Sequence, residues 1–184
     1  MSTSPFRRIL VPIDFTQATD VAVHSGLEFE VEGAKVAVAP QSARALELAA
    51  GIIDGAGELC LMHATPSYEG VRIHAGGTGS SVLGSGGIAE VHASAREASL
   101  KVLHALAARF AQSIKCSFVV RPGVALQVIL EEAACFDAQL LVIAASGRSR
   151  VARFFLGSTA DRVIRQAPCP VMVVPSVMAA PQAV

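Results

Sequence analysis

Leu140-Leu141-Val142-Ile143-Ala144-Ala145-Ser146-Gly147, followed after nine residues by Gly157-Ser158-Thr159, is the stretch whose reading decides the fold. Its first half is a short apolar run without polar alternation, the pattern of a strand buried on both faces, as in a parallel sheet. A helical pattern follows from Ser158 to Gln166. Between them stand two small-residue turns, one at a strand end and one opening a helix. Such turns bring bare backbone N–H groups together around an anion. The helix that begins at Gly157-Ser158 adds the positive end of its dipole and two hydroxyls. This chemistry holds phosphate without a lysine and points to a nucleotide.

Working outward, the same alternation recurs. Ile9-Leu10-Val11-Pro12-Ile13 is an apolar run ending at Asp14, and Leu59 to His63 is a second buried strand. Cys116 to Val120 is a third, broken by Pro122-Gly123, and Pro170 to Val174 is the last. Helical spacing covers 41–54, with Ser42 or Gln41 as its cap and Gly55 and Gly57 as its stop. It also covers 89–112, with Val91, Ala95, Ala98, Val102, Leu106 and Phe110 as the core face, and Leu126 to Cys135. Strands alternating with helices predict an α/β fold: an open, five-stranded parallel sheet with helices on both faces. Ligands of such sheets sit beyond the strand carboxyl ends, where the chain reverses direction across the sheet. With the first and fourth strands as neighbours, Asp14 walls one side of that crevice and Ala144 to Gly147 the other.

One segment interrupts the alternation. Leu27, Phe29 and Val31 alternate with Glu28, Glu30 and Glu32, and Val36 and Val38 follow Gly33. This predicts an inserted β-hairpin near 27–38, within an insertion of about 21–40, with one apolar face. An isolated hairpin is marginal in water, so that face rests on this domain or on another subunit. Residues 65–88, rich in Gly and Ser, read as a long flexible loop, and 176–184 as a flexible tail. Residues 1–175 form a single domain on this reading.

Composition narrows the class. Hydrophobic residues make up 52% of the 184-residue chain and charged ones 16%, so it is rich in core and poor in charged surface. The formal net charge of +0 gives no reason to expect nucleic acid. Charge is uneven: Arg148, Arg150, Arg153, Arg162 and Arg165 face only Asp161, either as a basic patch beside a phosphate loop or as a solvated rim. Cys60, Cys116, Cys135 and Cys169 have no C-x-x-C spacing and read as buried free thiols in a reducing compartment. No run approaches the roughly 18 apolar residues of a membrane span, so a cytoplasmic protein with no membrane contact is expected. The histidines show no metal-ligand spacing, and His63 reads as a hydrogen-bonded core residue. No nucleophile–base–acid set is written in the chain, so no catalytic residue is assigned.

Taken in order, these pieces resemble the universal stress protein family over nearly the full length. The residues that carry the resemblance are Ile9 to Phe15, Leu61 to Ala64, Val119 to Gly123, Leu140 to Ile143, Gly147-Arg148-Ser149, Leu156-Gly157-Ser158 and Ala167 to Val174. The resemblance implies strand order 3-2-1-4-5 and a homodimer, closed by antiparallel pairing of strand 170–174 with its twin. The nucleotide-binding branch of the family carries G-x2-G-x9-G-(S/T). Gly147, Gly157 and Ser158 match it, and Ala144 stands where the first glycine would be. An alanine there costs on the order of 1 kcal/mol if φ is positive and little if the residue is extended.

By position, the resemblance carries over site roles. Pro12, Ile13 and Asp14 would lie near the ribose or a metal on the phosphates, and Ala64 would border the adenine. Ile143 and Ala144 would lie under the ribose. Gly147, Gly157, Ser158 and Thr159 would cradle the phosphates, with Arg148 reaching a terminal phosphate. The ligand implied is ATP, or AMP or another adenine nucleotide, with or without Mg²⁺, held by a stress-response or signalling binding module with a protein partner of its own. Two other readings stay open: a dimeric interaction protein of the same fold that has lost its ligand, and a slow ATPase or flavin carrier. Asp14 itself reads equally as a ligand residue or as a turn or helix cap.

Overall fold

The computed structural model describes residues 5–17, 27–31, 34–67, 85–145 and 157–175. Five parallel strands form the main sheet: β1 (Arg8–Pro12), β5 (Glu58–Thr65), β6 (Lys115–Pro122), β7 (Leu140–Ala144) and β8 (Val171–Val174). Their order is β6-β5-β1-β7-β8, which is the expected order with the first and fourth strands of that sheet as neighbours. Four helices connect them: α1 (Pro40–Ile52), α2 (Ser85–Phe110), α3 (Ala125–Cys135) and α4 (Ser158–Gln166).

Strand alternation divides the core into two layers. Ile9, Val11, Leu59, Leu61, Leu140 and Val142 pack with Leu46 and Ala49 of α1 and Val102, Leu103 and Leu106 of α2. Leu10, Cys60, Met62, Leu141 and Ile143 point the other way, onto Val128 and Ile129 of α3 and Ala160 and Val163 of α4. β1 from Ile9 to Pro12 and β7 throughout are apolar because both faces are covered.

The inserted segment forms a sheet of its own, with strands β2 (Phe15–Gln17), β3 (Leu27–Val31) and β4 (Ala34–Val38) in the order β2-β4-β3. The expected hairpin is present as β3 and β4, paired antiparallel with Leu27 opposite Val38 and Phe29 opposite Val36. Its apolar residues Leu27, Phe29, Val31, Val36 and Val38 rest on the α1–α2 core layer of this chain. The third strand, β2, pairs Phe15 with Val38 and went unread in the sequence. Three residues carry too little alternation to register as a strand.

Several boundaries and environments differ from expectation. The loop read as 65–88 yields Thr65 to β5 and Ser85–Ile88 to α2; its residues 68–84 lie outside the described residues. The long periodic run behind Ser85 outweighs the weak propensity of its two glycines. Val91, expected in the core, is 39% exposed. At 1.5 Å per residue the 26 residues of α2 reach about 39 Å, whereas the 8-residue strands beneath it span about 26 Å, so its first turns overhang the sheet. Cys60 is buried, but Cys116 and Cys169 are only partly so and Cys135, in the last turn of α3, is exposed. All four thiols are free. Among the described residues, no helix is long and apolar enough to cross a membrane.

Candidate functional site

The chain reverses direction between β1 and β7. From β1 it builds outward through β5 to β6, then crosses to β7 and on to β8. The carboxyl ends of these strands are therefore the place where an open α/β sheet presents a crevice. Pro12, Ile13 and Asp14 leave β1 there, Ala64 and Thr65 end β5, and Ile143 and Ala144 end β7. β7 and β8 run parallel, so α4 returns between them with its N-terminus, Gly157-Ser158-Thr159, at the same edge. Gly147 and Arg148, also expected in the site, lie outside the described residues, as do Arg150 and Arg153. Of the expected basic patch, Arg162 and Arg165 are described, and Arg165 is paired with Asp161 at 3.2 Å.

Gly157 has φ 78° and ψ 140° and caps α4 without any side-chain hydrogen bond. That conformation suits glycine alone. Its carbonyl accepts the amide of Asp161 at 3.0 Å, which starts the helix. Among the described residues, no side chain caps these first-turn amides, which stand at the positive end of the helix dipole. Ser158 is exposed and Thr159 half-buried.

Ala144 answers the question its sequence position raises. It lies within β7, opposite Val174, and Asp137 is the one described non-glycine residue with positive φ. The backbone at Ala144 therefore carries no left-handed strain. Its methyl packs against the α1–α2 core layer, in line with Leu140 and Val142.

The backbone just beyond β1 is held at both Ile13 and Asp14. The amide of Ile13 donates to Met62 O at 2.8 Å. The carbonyl of Ile13 accepts from His63 Nδ1 at 2.8 Å, which fixes the proton on that nitrogen. The amide of Asp14 donates to Ser42 Oγ at 3.2 Å, and its carbonyl accepts from Ala39 N at 3.3 Å. The Asp14 side chain stays exposed. His63 was expected to be a hydrogen-bonded core histidine; it is hydrogen-bonded but half-buried, at the edge of the core, and burial pushes its pKa down, opposed by its bond to Ile13 and by the charge of Asp14.

Ser42 or Gln41 was expected to cap α1. Instead Ala39 is the cap residue, no side chain caps the helix, and Pro40 opens it. Ser42 is 1% exposed and lies on the buried face with Ala45, Leu46 and Ala49. A polar residue on a buried helix face needs a partner, and that was the signal for its bond to Asp14. On the other side of β5, Gly123 donates its amide to Thr65 O at 2.9 Å and has φ 142°. A Cβ there would meet Val128 Cγ2 at 3.0 Å.

Two open concavities lie elsewhere. One of about 530 Å³ runs over Gly87, Glu90, Val91, Ser94 and Ala95 on the overhang of α2, and one of about 650 Å³ lies between α1, Leu27 and Phe110. Neither touches the strand carboxyl ends, and neither converges polar groups on a point. Among the described residues, no cluster of three or more His, Cys, Asp or Glu side chains could hold a metal ion.

The universal stress protein family model matches residues 36–175. A search of curated protein sequences finds no match. Among solved structures, the chain is similar to universal stress protein UspA from Lactobacillus plantarum, with 18% identity over 92% of this chain and 97% of that one and a TM-score of 0.60. It is also similar to a universal stress protein family protein from Arabidopsis thaliana with AMP bound, with 14% identity over 92% of each chain and a TM-score of 0.57. A universal stress protein in complex with cAMP shares 18% identity over 96% of this chain and 100% of that one, with a TM-score of 0.51. With the sheet order, the switch between β1 and β7 and the family match over most of its length, the chain belongs to the universal stress protein family.

Proposed function

We propose that this protein binds ATP or a related adenine nucleotide at the carboxyl edge of β1 and β7, and that it acts as a stress-response or signalling binding module. The observation that carries the reading is the N-terminus of α4. Its glycine cap is set in a conformation that only glycine suits, and among the described residues no side chain caps the helix. An anion is the natural partner of such an end. Asp14, exposed at the facing strand end, is a carboxylate placed to take ribose hydroxyls or a phosphate-bound Mg²⁺. Ala144 adds no backbone strain against this, and solved family members carry AMP or cAMP. Gly147 and Arg148 complete the phosphate end of the proposal on the strength of the sequence motif.

The edge strand β8 supports a homodimer in the same proposal. Val171, Met172 and Val173 leave part of their apolar surface uncovered, and an unpaired apolar edge invites pairing with its twin. A cytoplasmic location and a single domain over 1–175 complete the reading.

Titration calorimetry on nucleotide-stripped protein tests it, using ATP and AMP with and without Mg²⁺. Saturable binding of one nucleotide per chain is expected, and it should vanish in Gly157→Glu. No heat at millimolar nucleotide would sink the proposal.

A further inference from the structure

The end of β1 is gripped from two elements that the nucleotide motif does not include. Ser42, in the first turn of α1 and 1% exposed, accepts the Asp14 amide. His63, on β5, donates to the Ile13 carbonyl 2.8 Å away. The two bonds flank the peptide unit that carries Asp14, so its backbone has little freedom to turn. The same peptide is the root of the inserted sheet. Phe15, one residue on, pairs with Val38 in β2–β4 and stacks on the His63 ring with centroids 3.7 Å apart. The Ala39 amide closes the neck of the insertion on Asp14 O at 3.3 Å. A long insertion between Asp14 and α1 would otherwise let the strand end drift, because loop ends without fixed partners keep their conformational entropy.

We infer that Ser42 and His63 are positioning residues, which hold the Asp14 carboxylate in place for a nucleotide ribose or its metal despite the insertion that follows it. This rests on the nucleotide reading above. Neither side chain need touch the ligand; each acts through the Ile13–Asp14 backbone. Ser42 was available for the role because the helix it belongs to is opened by Pro40, whose φ is already helical.

The test is a double-mutant cycle read by ATP calorimetry, with amide hydrogen exchange at Asp14 as a ligand-free readout. Ser42→Ala should lower ATP affinity about three- to tenfold in the wild-type background, the range a lost hydrogen bond gives. It should lower it less than about twofold in Asp14→Ala. It should also speed exchange of the Asp14 amide without nucleotide. His63→Leu should behave like Ser42→Ala. His63→Asn, whose amide N–H stands where Nδ1–H was, should restore affinity to within about twofold. Thermal melts confirm that each variant is folded, and the His63 pair serves if Ser42→Ala is not. Equal losses in both Asp14 backgrounds, or unchanged Asp14 exchange in Ser42→Ala, overturn the positioning role alone. A wild-type chain that binds no ATP overturns the nucleotide reading and the positioning role with it, while the exchange readout still reports whether the grip on Asp14 exists.

Discussion

The imidazole of His63 lies nearly flat on the ring of Phe15, with centroids 3.7 Å apart and planes inclined by 18°. The contact joins the main sheet to the inserted one at the point where β1 ends. It also covers one face of the half-buried His63 ring, and burial is the largest influence on its pKa, which is lowered. A histidine with a lowered folded-state pKa binds its proton more readily when unfolded. Its contribution to stability is complete above the unfolded value of about 6.5 and is lost as pH falls from there toward the folded value. Denaturant unfolding at pH 7.5 and pH 5.5 should show a drop in stability that is smaller in His63→Asn. An identical drop in the two proteins would show that another group is responsible.

Gly157 is set where a Cβ is strained. Gly157→Ala should cost about 1–3 kcal/mol. In a chain of this length each kcal/mol lowers Tm by about 2–4 °C. A variant with unchanged Tm would mean that the turn relaxes readily and that glycine is not required there.

Ala144 is the departure from the family's glycine pattern, and its conformation predicts that the departure is mild. Ala144→Gly should leave ATP affinity within about twofold and lose roughly 0.5–1 kcal/mol of stability, as glycine does in a strand. A tenfold gain in affinity would show that the methyl obstructs the crevice.

Met172, 36% exposed on the edge strand β8, tests the proposed dimer. Met172→Lys should shift the protein to a monomer in light scattering coupled to size exclusion. A dimer that survives the substitution would place the interface elsewhere.

The thiols report the two core layers. Cys60 sits in the α3–α4 layer, where burial pushes its pKa to about 12, while Cys135 is exposed. A thiol reagent at pH 8 should label Cys135 first and Cys60 only on unfolding. Rapid labelling of Cys60 in the native protein would contradict the packing of that layer.

The main sheet was legible because its central strands are covered on both faces. Runs such as Ile9–Ile13 and Leu140–Ile143 have no other stable use in a chain with alternating helices. The hairpin was legible from the alternation of Leu27, Phe29 and Val31 with glutamates. β2 was not, since Phe15–Gln17 draws its pairing from Val36–Val38, well beyond any local pattern. The strand ends and the opening of α4, where the candidate residues stand, were readable because turns there leave a mark in small residues. Ser42, offered with Gln41 as the cap, was misread for want of one fact, the side of α1 that faces the sheet. The overhang of α2 was hidden for a similar reason: periodicity fixes a helix's apolar face but not how far the sheet extends beneath it.

The central claim, that an adenine nucleotide occupies the edge where β1 and β7 part, is tested most directly by mapping amide chemical shifts during titration with Mg²⁺-ATP. The account predicts saturable shifts concentrated at Asp14, Ala64, Ala144, Ser158 and Thr159. Shifts confined to the concavities along α1 and α2, or none at millimolar nucleotide, would contradict it.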